Sequence, residues 1–451
     1  MDKFITKSTK RAASAGDDGD NASHTSTNKK VKSESISAPA VGDCTWETIG
    51  TVLYMHNIPR STGAPIADNT LASIAAFDMD STLISTKSGK TFPTNANDWK
   101  FWNECVPAKL RALVADGYHV VIFSNQSGLS KGRVGATELK TKIQAIAAQL
   151  NLPLRVFLMS ADDHMRKPRT GAWKLLLDHC SLNVDAATSF YCGDAAGRPK
   201  APGKPKKDFS CADYKFALNV GVPFHTPERL FLQSTLSLHC KESSFDLGFD
   251  PRTLLHPVTT LIVTPHDAQE MVVLVGSPAS GKSSFCKAYF PGYARINQDT
   301  LKTAAKCKAA AQDLLSSGRS IVVDNTNRDV KTRAEWVALA RTNNVPVRAF
   351  YLDVTKPVVF HLNEFRMLLK ERHPDDPDLA KPNVPDMVIH GFFKNVQVPT
   401  VQEGFGSVEV VPFVPLPYLV QGNTTADDST GPTRGALDDQ DKVLLTSFLL
   451  G

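Results

Sequence analysis

The octapeptide Gly276-Ser-Pro-Ala-Ser-Gly281-Lys282-Ser283 constrains this chain more than any other stretch of its 451 residues. It fits the pattern G-x-x-x-x-G-K-[ST], follows an apolar run at 271–275 and precedes a helix-capable stretch at 284–289. Strand, glycine-bearing loop and helix in that order make a phosphate cradle. The loop curls so that its N–H groups face phosphate oxygens, and the helix N-terminus adds partial positive charge. Gly276, Ser277, Pro278, Ala279, Ser280, Gly281, Lys282 and Ser283 are thus candidate ATP-binding residues. Lys282 reaches the β- and γ-phosphates, and Ser283 holds Mg2+.

Around this loop, and again ahead of it, short apolar runs alternate with helix-like stretches, the pattern of parallel α/β sheets. Strands are predicted at 73–77, 119–123, 154–159 and 188–192, then at 271–275, 320–323 and 347–352. The fold class is therefore α/β, with two doubly wound parallel-sheet domains. The stretch 236–268, with Pro251, Pro257 and Pro265 and no clear periodicity, separates them. In the second half, Asp299 follows a predicted strand. It is either a proton acceptor for an attacking hydroxyl or the N-cap of a helix over 300–310. Asp324 ends an apolar run, at the ligand-binding edge of such sheets; it orients a metal or substrate, or is a plain loop residue. Arg366, in a helix-like stretch at 361–370, is either a lid arginine over the phosphates or a solvated charge.

In the first half, the strand 73–77 ends in Asp78-Met-Asp80-Ser-Thr. Two carboxylates at i, i+2 are costly in a core, but at a strand's C-terminal end they can share Mg2+ and a phosphate. This run resembles motif one of the haloacid dehalogenase superfamily of phosphatases, with Ser81 in place of the usual Gly. The rest of that pattern follows in order: Ser124 after 119–123, Lys167 in Arg166-Lys167-Pro168, and Asp194 in Gly193-Asp194 after 188–192. Enough chain separates them for one strand–helix unit each. The resemblance implies that Asp78 attacks phosphorus and that Asp80 first protonates the leaving hydroxyl, then activates water. It implies that Ser124 binds the phosphate, that Lys167 offsets charge, and that Mg2+ sits on Asp78, Asp194 and the Asp80 backbone carbonyl.

Together the two halves resemble the eukaryotic polynucleotide kinase 3′-phosphatase family. Matching runs include Trp46-Glu47, Ser88-Gly-Lys-Thr-Phe-Pro93, Phe123-Ser-Asn-Gln126, Gly193-Asp-Ala-Ala-Gly-Arg198, Lys207-Asp-Phe-Ser-Cys-Ala-Asp213, Asp324-Asn-Thr-Asn327 and Glu403-Gly-Phe405. Membership implies removal of 3′-phosphate from DNA ends and transfer of the ATP γ-phosphate to 5′-hydroxyl ends, ready for a ligase. It implies that Asp299 is the kinase base and Asp213 a second acid beside the phosphatase metal. Two departures bear on the kinase. Gln298 stands where animal relatives are expected to have Arg, and the lid stretch 360–366 keeps only Arg366 as a cation, with Glu364 close by. Animal relatives also carry a phosphopeptide-binding domain ahead of the phosphatase, for which 1–42 is too short.

These assignments give a tail at 1–42, a phosphatase domain at 43–237, a linker at 238–268, a kinase domain at 269–420 and an acidic tail at 421–451. The first tail lacks the apolar residues to offset ordering entropy and reads as disordered. Its clusters Lys7, Lys10, Arg11 and Lys29, Lys30, Lys32 resemble a bipartite nuclear signal, so a nuclear location is expected. The last tail sets five Asp against Arg434 and Lys442, although 443–449 has the makings of a short helix or of a partner-binding segment.

The net charge, +5 from 51 Lys+Arg against 46 Asp+Glu, does not by itself announce a nucleic-acid binder. Local charge is a weaker pointer: Arg198, Lys200, Lys204, Lys206 and Lys207, interrupted by prolines, form a stiff basic loop that either holds strand phosphates beside the site or is simply solvated. Trp99, Phe101 and Trp102 are candidates for base stacking or for core packing. The eight cysteines include no Cys-x-x-Cys pair and read as free thiols of a reducing compartment. No run approaches the length of a membrane span, and no apolar signal segment opens the chain. A monomer acting on DNA ends with ATP, with a repair scaffold or ligase as partner, is the leading reading. RNA end healing, small-molecule phosphoryl chemistry and a scaffold with dead sites are the alternatives.

Overall fold

In the computed structural model the described residues are 41–59, 71–202, 204–232, 241–255, 263–380, 382–413 and 437–451. The basic tail and its nuclear-type clusters lie outside them, apart from residues 41 and 42. The first sheet is built from β1 (Thr45–Ile49), β2 (Val52–His56), β3 (Ile74–Phe77), β4 (His119–Asn125), β5 (Leu154–Met159), β6 (Phe190–Cys192) and β7 (Phe224–His225). Their order is β1-β2-β5-β4-β3-β6-β7. The five strands from β5 to β7 are parallel, and β1-β2 is an antiparallel hairpin added on the β5 edge.

The second sheet comprises β8 (Met271–Val275), β9 (Ala294–Ile296), β10 (Ile321–Val323), β11 (Val347–Asp353) and β12 (Val408–Pro412), all parallel, in the order β9-β10-β8-β11-β12. Its central strand β8, Met-Val-Val-Leu-Val, is buried throughout. That continuous apolar run belongs to a strand covered on both faces.

The period-2 pattern shows how each sheet is covered. Ala75, Phe77, Val120 and Ile122 face one core with Leu110 and Ile143, whereas Ile74, Ala76, Val121 and Phe123 face another with Trp173 and Phe216. In the second sheet Val272 and Leu274 pack with Phe285 and Phe365, and Met271 and Val273 with Ala311 and Trp336. Both domains are doubly wound. Each chain path reverses direction within its sheet, at β3/β6 and at β8, and the crevices at such reversals are where open α/β sheets bind ligands.

Two boundaries expected from composition are corrected. Within the stretch read as a linker, Phe245 packs edge-on against Tyr214, the Asp246 N–H donates to the Gly197 carbonyl (2.8 Å), and Leu254 enters the second domain's core. Within the stretch read as an acidic tail, residues 437–451 are packed. Asp439–Thr446 is a helix, and Leu437, Leu445, Phe448 and Leu449 are buried. The apolar residues decide the outcome, because the acids form a capping box in which Asp438 accepts from the Asp441 N–H. Residues 414–436 lie outside the described residues.

Candidate active sites

The acids and hydroxyls singled out in the first half converge where strands of the first sheet end. Asp78 follows β3, and its N–H donates to the Cys192 carbonyl at the end of β6 (2.8 Å). Lys167 is buried and donates to Asp78 Oδ1 (2.7 Å), Tyr191 Oη (2.7 Å) and Asp213 Oδ1 (2.8 Å). Asn125 fixes the backbone beneath it, accepting from the Lys167 N–H (3.0 Å) and donating to its carbonyl (3.1 Å). Ser124 and Asp80 are linked through Gln126, whose Nε2 donates to Ser124 Oγ (2.7 Å) and Asp80 Oδ2 (2.9 Å). Lys142, from the helix Ala136–Leu150, reaches Asp80 Oδ1 at 3.1 Å.

Tyr191, Asn125, Gln126 and Lys142 were not singled out as site residues. Asn125 and Gln126 lie inside a matching run, but a single Lys on a helix 62 residues from Asp80 carries no local signal.

Ser81, which replaces the family's glycine, adopts φ +62° with its N–H donating to the Ile84 carbonyl (2.8 Å). That left-handed backbone costs an L-residue about 1 kcal/mol or more. Ser81→Gly is therefore expected to raise stability by up to about 1 kcal/mol, with phosphatase kcat unchanged. Thermal unfolding checks it, and a lower melting temperature would assign the Ser81 side chain a role of its own.

Carboxylate oxygens of Asp78, Asp194 and Asp213 all lie within 4.8 Å of one another. Asp213 is fully engaged: besides Lys167 it accepts from Tyr191 Oη (3.1 Å) and the Ala195 N–H (3.0 Å). It packs so closely over Gly193 that a Cβ there would lie 2.4 Å from its carboxylate. Burial, with Asp213 and Asp80 adding repulsion against the pull of Lys167, raises the Asp78 carboxyl to about 7. Burial, then Asp78 and Asp213, raises Asp194 to about 8. Three acids against one buried lysine leave negative charge that a divalent cation fits, and Asp78 and Asp194 would hold it.

The pH consequence follows by linkage. Both carboxyls titrate above their unfolded value of 3.8. The metal-free folded protein therefore keeps protons that the unfolded chain has released, and stability falls as pH rises from about 4 through about 8. A bound Mg2+ would replace those protons, so its gain in melting temperature is expected to be larger at pH 8 than at pH 5.5. Equal gains at both would contradict this charge assignment.

The basic loop differs from expectation. Arg198 is buried, tied to Asp208 (2.8 Å) and Glu228 (2.6 Å), and Lys204 pairs with Asp208 (2.7 Å). Only Lys200, Lys206 and Lys207 of the five stand exposed. Trp99, Phe101 and Trp102 pack on the core. Among the described residues the exposed aromatics are instead Phe92 (77% exposed) and Phe209 (89%). Phe209 lies between Asp208, which accepts from the Ala196 and Arg198 N–H groups, and Ser210, whose carbonyl accepts from the Gly197 N–H. Its place beside the loop after Asp194 is thereby set.

In the second domain the glycine-bearing loop joins β8 to the helix Lys282–Tyr289. Gly281 at φ +90° and Ala279 at φ +61° make the curl. Lys282 Nζ donates to the carbonyls of Gly276 (3.0 Å) and Ser277 (2.6 Å). The Ser277 and Ser280 hydroxyls are buried without a protein partner, which fits a cradle for phosphate oxygens. Ser283 Oγ donates to Asp324 Oδ2 (2.8 Å), and Arg295 of β9 donates to the same oxygen (2.7 Å). Asp324 is thus the loop's acidic partner, and Arg295, absent from the candidates, holds it.

Asp299 is not an N-cap. Asn297 caps the turn Gln298–Leu301, its side chain accepting from the N–H groups of Asp299 (3.0 Å) and Thr300 (3.3 Å). Lys302 at φ +73° then breaks the chain, and Thr303 caps the longer helix Ala304–Ser316. Arg366 lies on the helix Lys356–Arg372, donating to Asn363 Oδ1 (3.1 Å) and the Pro382 carbonyl (3.1 Å). Burial lowers its pKa, and the Asp299 charge opposes that shift. Glu364 pairs with Arg169 of the first domain (3.0 Å).

Comparison with known proteins agrees with this division. The family described as polynucleotide kinase 3 phosphatase matches residues 73–231, and an AAA domain family matches 271–375. A bifunctional polynucleotide phosphatase/kinase from Schizosaccharomyces pombe is 38% identical over 346 residues, covering 75% of this chain and 79% of that protein. A relative from Acanthamoeba polyphaga mimivirus is 33% identical over 368 residues, covering 75% and 84%. A polynucleotide 3′-phosphatase from Saccharomyces cerevisiae is 28% identical over 218 residues, covering 35% of this chain and 87% of that one. With a phosphatase centre ahead of a phosphate-cradling kinase loop, the chain belongs to the family of bifunctional polynucleotide phosphatase/kinases.

Proposed function

We propose that this enzyme readies DNA strand breaks for ligation, hydrolysing 3′-phosphate and transferring the ATP γ-phosphate to 5′-hydroxyl. The observation that carries this reading is the presence of both sites in one chain, the Asp78–Lys167–Asp213 cluster and the Gly276–Ser283 cradle.

At the first site a carboxylate oxygen of Asp78 bonds to phosphorus, and the bond to the 3′-oxygen breaks. Asp80 gives that oxygen its proton. In the second half-reaction Asp80 takes a proton from water, whose oxygen displaces Asp78 and releases phosphate. Ser124 and Gln126 hydrogen-bond the transferring group, and Lys167 offsets its charge. Asp78, Asp194 and the Asp80 carbonyl would hold Mg2+, which would supply further neutralisation of phosphate charge.

At the second site Asp299 accepts the proton of the attacking 5′-hydroxyl. Lys282 and the loop N–H groups hold the β- and γ-phosphates, with Arg366 close by to neutralise charge. Ser283 and Asp324 would hold the second site's Mg2+. The clusters at 7–11 and 29–32 support action in the nucleus, where nicks and breaks are the substrate and a ligase the successor.

Exposed Phe209 and the lysines 200, 206 and 207 favour a strand over a small ester. Phe209→Ala is expected to raise KM for a 3′-phosphorylated oligonucleotide about tenfold, the worth of one base stack, and to leave a small phosphate ester unaffected. Matched DNA and RNA oligonucleotides in one kinetic series test the substrate class. Higher kcat/KM on DNA supports the proposal, and preference for RNA transfers it to RNA end healing.

A further inference from the structure

The helix Asp439–Thr446, with its cap and the residues that follow it, ties the two domains together at one particular place. Its kinase-side anchors are Leu445 and Leu449 in the second domain's core, the Leu445 carbonyl on His361 Nε2 (2.7 Å), and Arg372 with Asp438 (3.0 Å) and Asp441 (3.2 Å). From Ser447 onward it runs onto the phosphatase. Phe448 is buried, with Lys215 and Arg252 over its ring at 5.6 and 5.4 Å. Asn219 clamps it, accepting from the Phe448 N–H (2.9 Å) and donating to its carbonyl (2.8 Å). Lys215 Nζ donates to the Leu450 carbonyl (2.8 Å), and Arg169 Nε to that of Leu449 (3.1 Å).

These partners are not scattered over the phosphatase. Asn219 also donates to the Pro168 carbonyl (2.8 Å), so the segment grips Pro168 and Arg169, the two residues after Lys167. Lys215 and Asn219 lie on the helix Ala212–Val220, which carries Asp213. The two elements held are thus the two that bring Lys167 and Asp213 together at 2.8 Å. Arg169 adds a second tie, to Glu364 on the helix that also carries Arg366.

We propose that Asn219 and Arg169 are positioning residues for 3′-phosphate hydrolysis, acting through Lys167, and that 447–451 is the strap by which the kinase domain holds them. The strap keeps the Lys167 turn and the Asp213 helix in register, so the phosphatase centre depends on contacts made from the far domain. This rests on the phosphatase reading above.

The test uses the full chain with Asn219→Ala and, separately, Glu364→Gln, which breaks the tie from the kinase side without emptying a core position. Each is assayed for both activities beside the unaltered protein. Phosphatase kcat is expected to fall about tenfold for Asn219→Ala and about threefold for Glu364→Gln, the scale of a small misplacement of a catalytic group. KM for the 3′-phosphorylated oligonucleotide should stay within about twofold, since no strand contact is lost. Kinase kcat should hold for Asn219→Ala. Unchanged phosphatase kcat in Glu364→Gln, or a parallel fall of both activities in Asn219→Ala, would overturn the proposal. An unaltered chain that releases no 3′-phosphate would instead remove the reading on which it rests.

Discussion

Asp78→Asn is expected to abolish release of 3′-phosphate, by at least about 10^4-fold, as removal of a covalent nucleophile does in enzymes that act through one. Transfer to 5′-hydroxyl should stay within twofold. The substitution is close to isosteric and removes an anion from a site where burial, Asp213 and Asp80 already oppose its charge. The fold should tolerate it, because Lys167 keeps its bonds to Asp213 and Tyr191. Timed release of phosphate from a 3′-phosphorylated oligonucleotide, with 5′ labelling on the same preparation as control, checks it. Substantial residual turnover would assign the attack to another group.

Lys282→Ala is expected to do the reverse, lowering 5′ transfer by about 10^3-fold while sparing the phosphatase. Its ammonium is the one side-chain cation of the loop 276–283, and without it the loop N–H groups and the Mg2+ that Ser283 and Asp324 would hold are left to offset the β/γ-phosphate charge. Lys282 is buried against the carbonyls of Gly276 and Ser277, so the loop can keep its curl without it. Loss of both activities in a folded Lys282→Ala protein would contradict two separable centres. The ties between the domains do not alter that expectation, because their kinase-side anchors, Leu445, Leu449 and Glu364, lie far in sequence from the loop.

Much of this arrangement is legible in the amino-acid sequence. Parallel strands buried on both faces leave continuous apolar runs, and the one at 271–275 coincides with β8; the run at 154–159, interrupted only by Arg155, coincides with β5. Acids placed just past such runs mark strand ends, which is why Asp78, Asp194 and Asp324 stood out. Groups whose meaning depends on distant partners did not. Lys142 and Arg295 look like ordinary charges until the fold sets them on Asp80 and Asp324. The converse holds for Arg198, whose charge suggested a strand contact but is consumed by Asp208 and Glu228. Charge counting also hid the packed end of the chain, where the acids cap a helix and four apolar side chains do the packing.

One measurement tests the central claim most directly: a nicked DNA duplex with 3′-phosphate and 5′-hydroxyl at the nick, incubated with the full chain, ATP and Mg2+, and resolved by end type. The account predicts that both ends change, to 3′-hydroxyl and 5′-phosphate, and that ATP omission stops only the second conversion. A nick left unaltered at either end, in a preparation whose fold is intact, would contradict it.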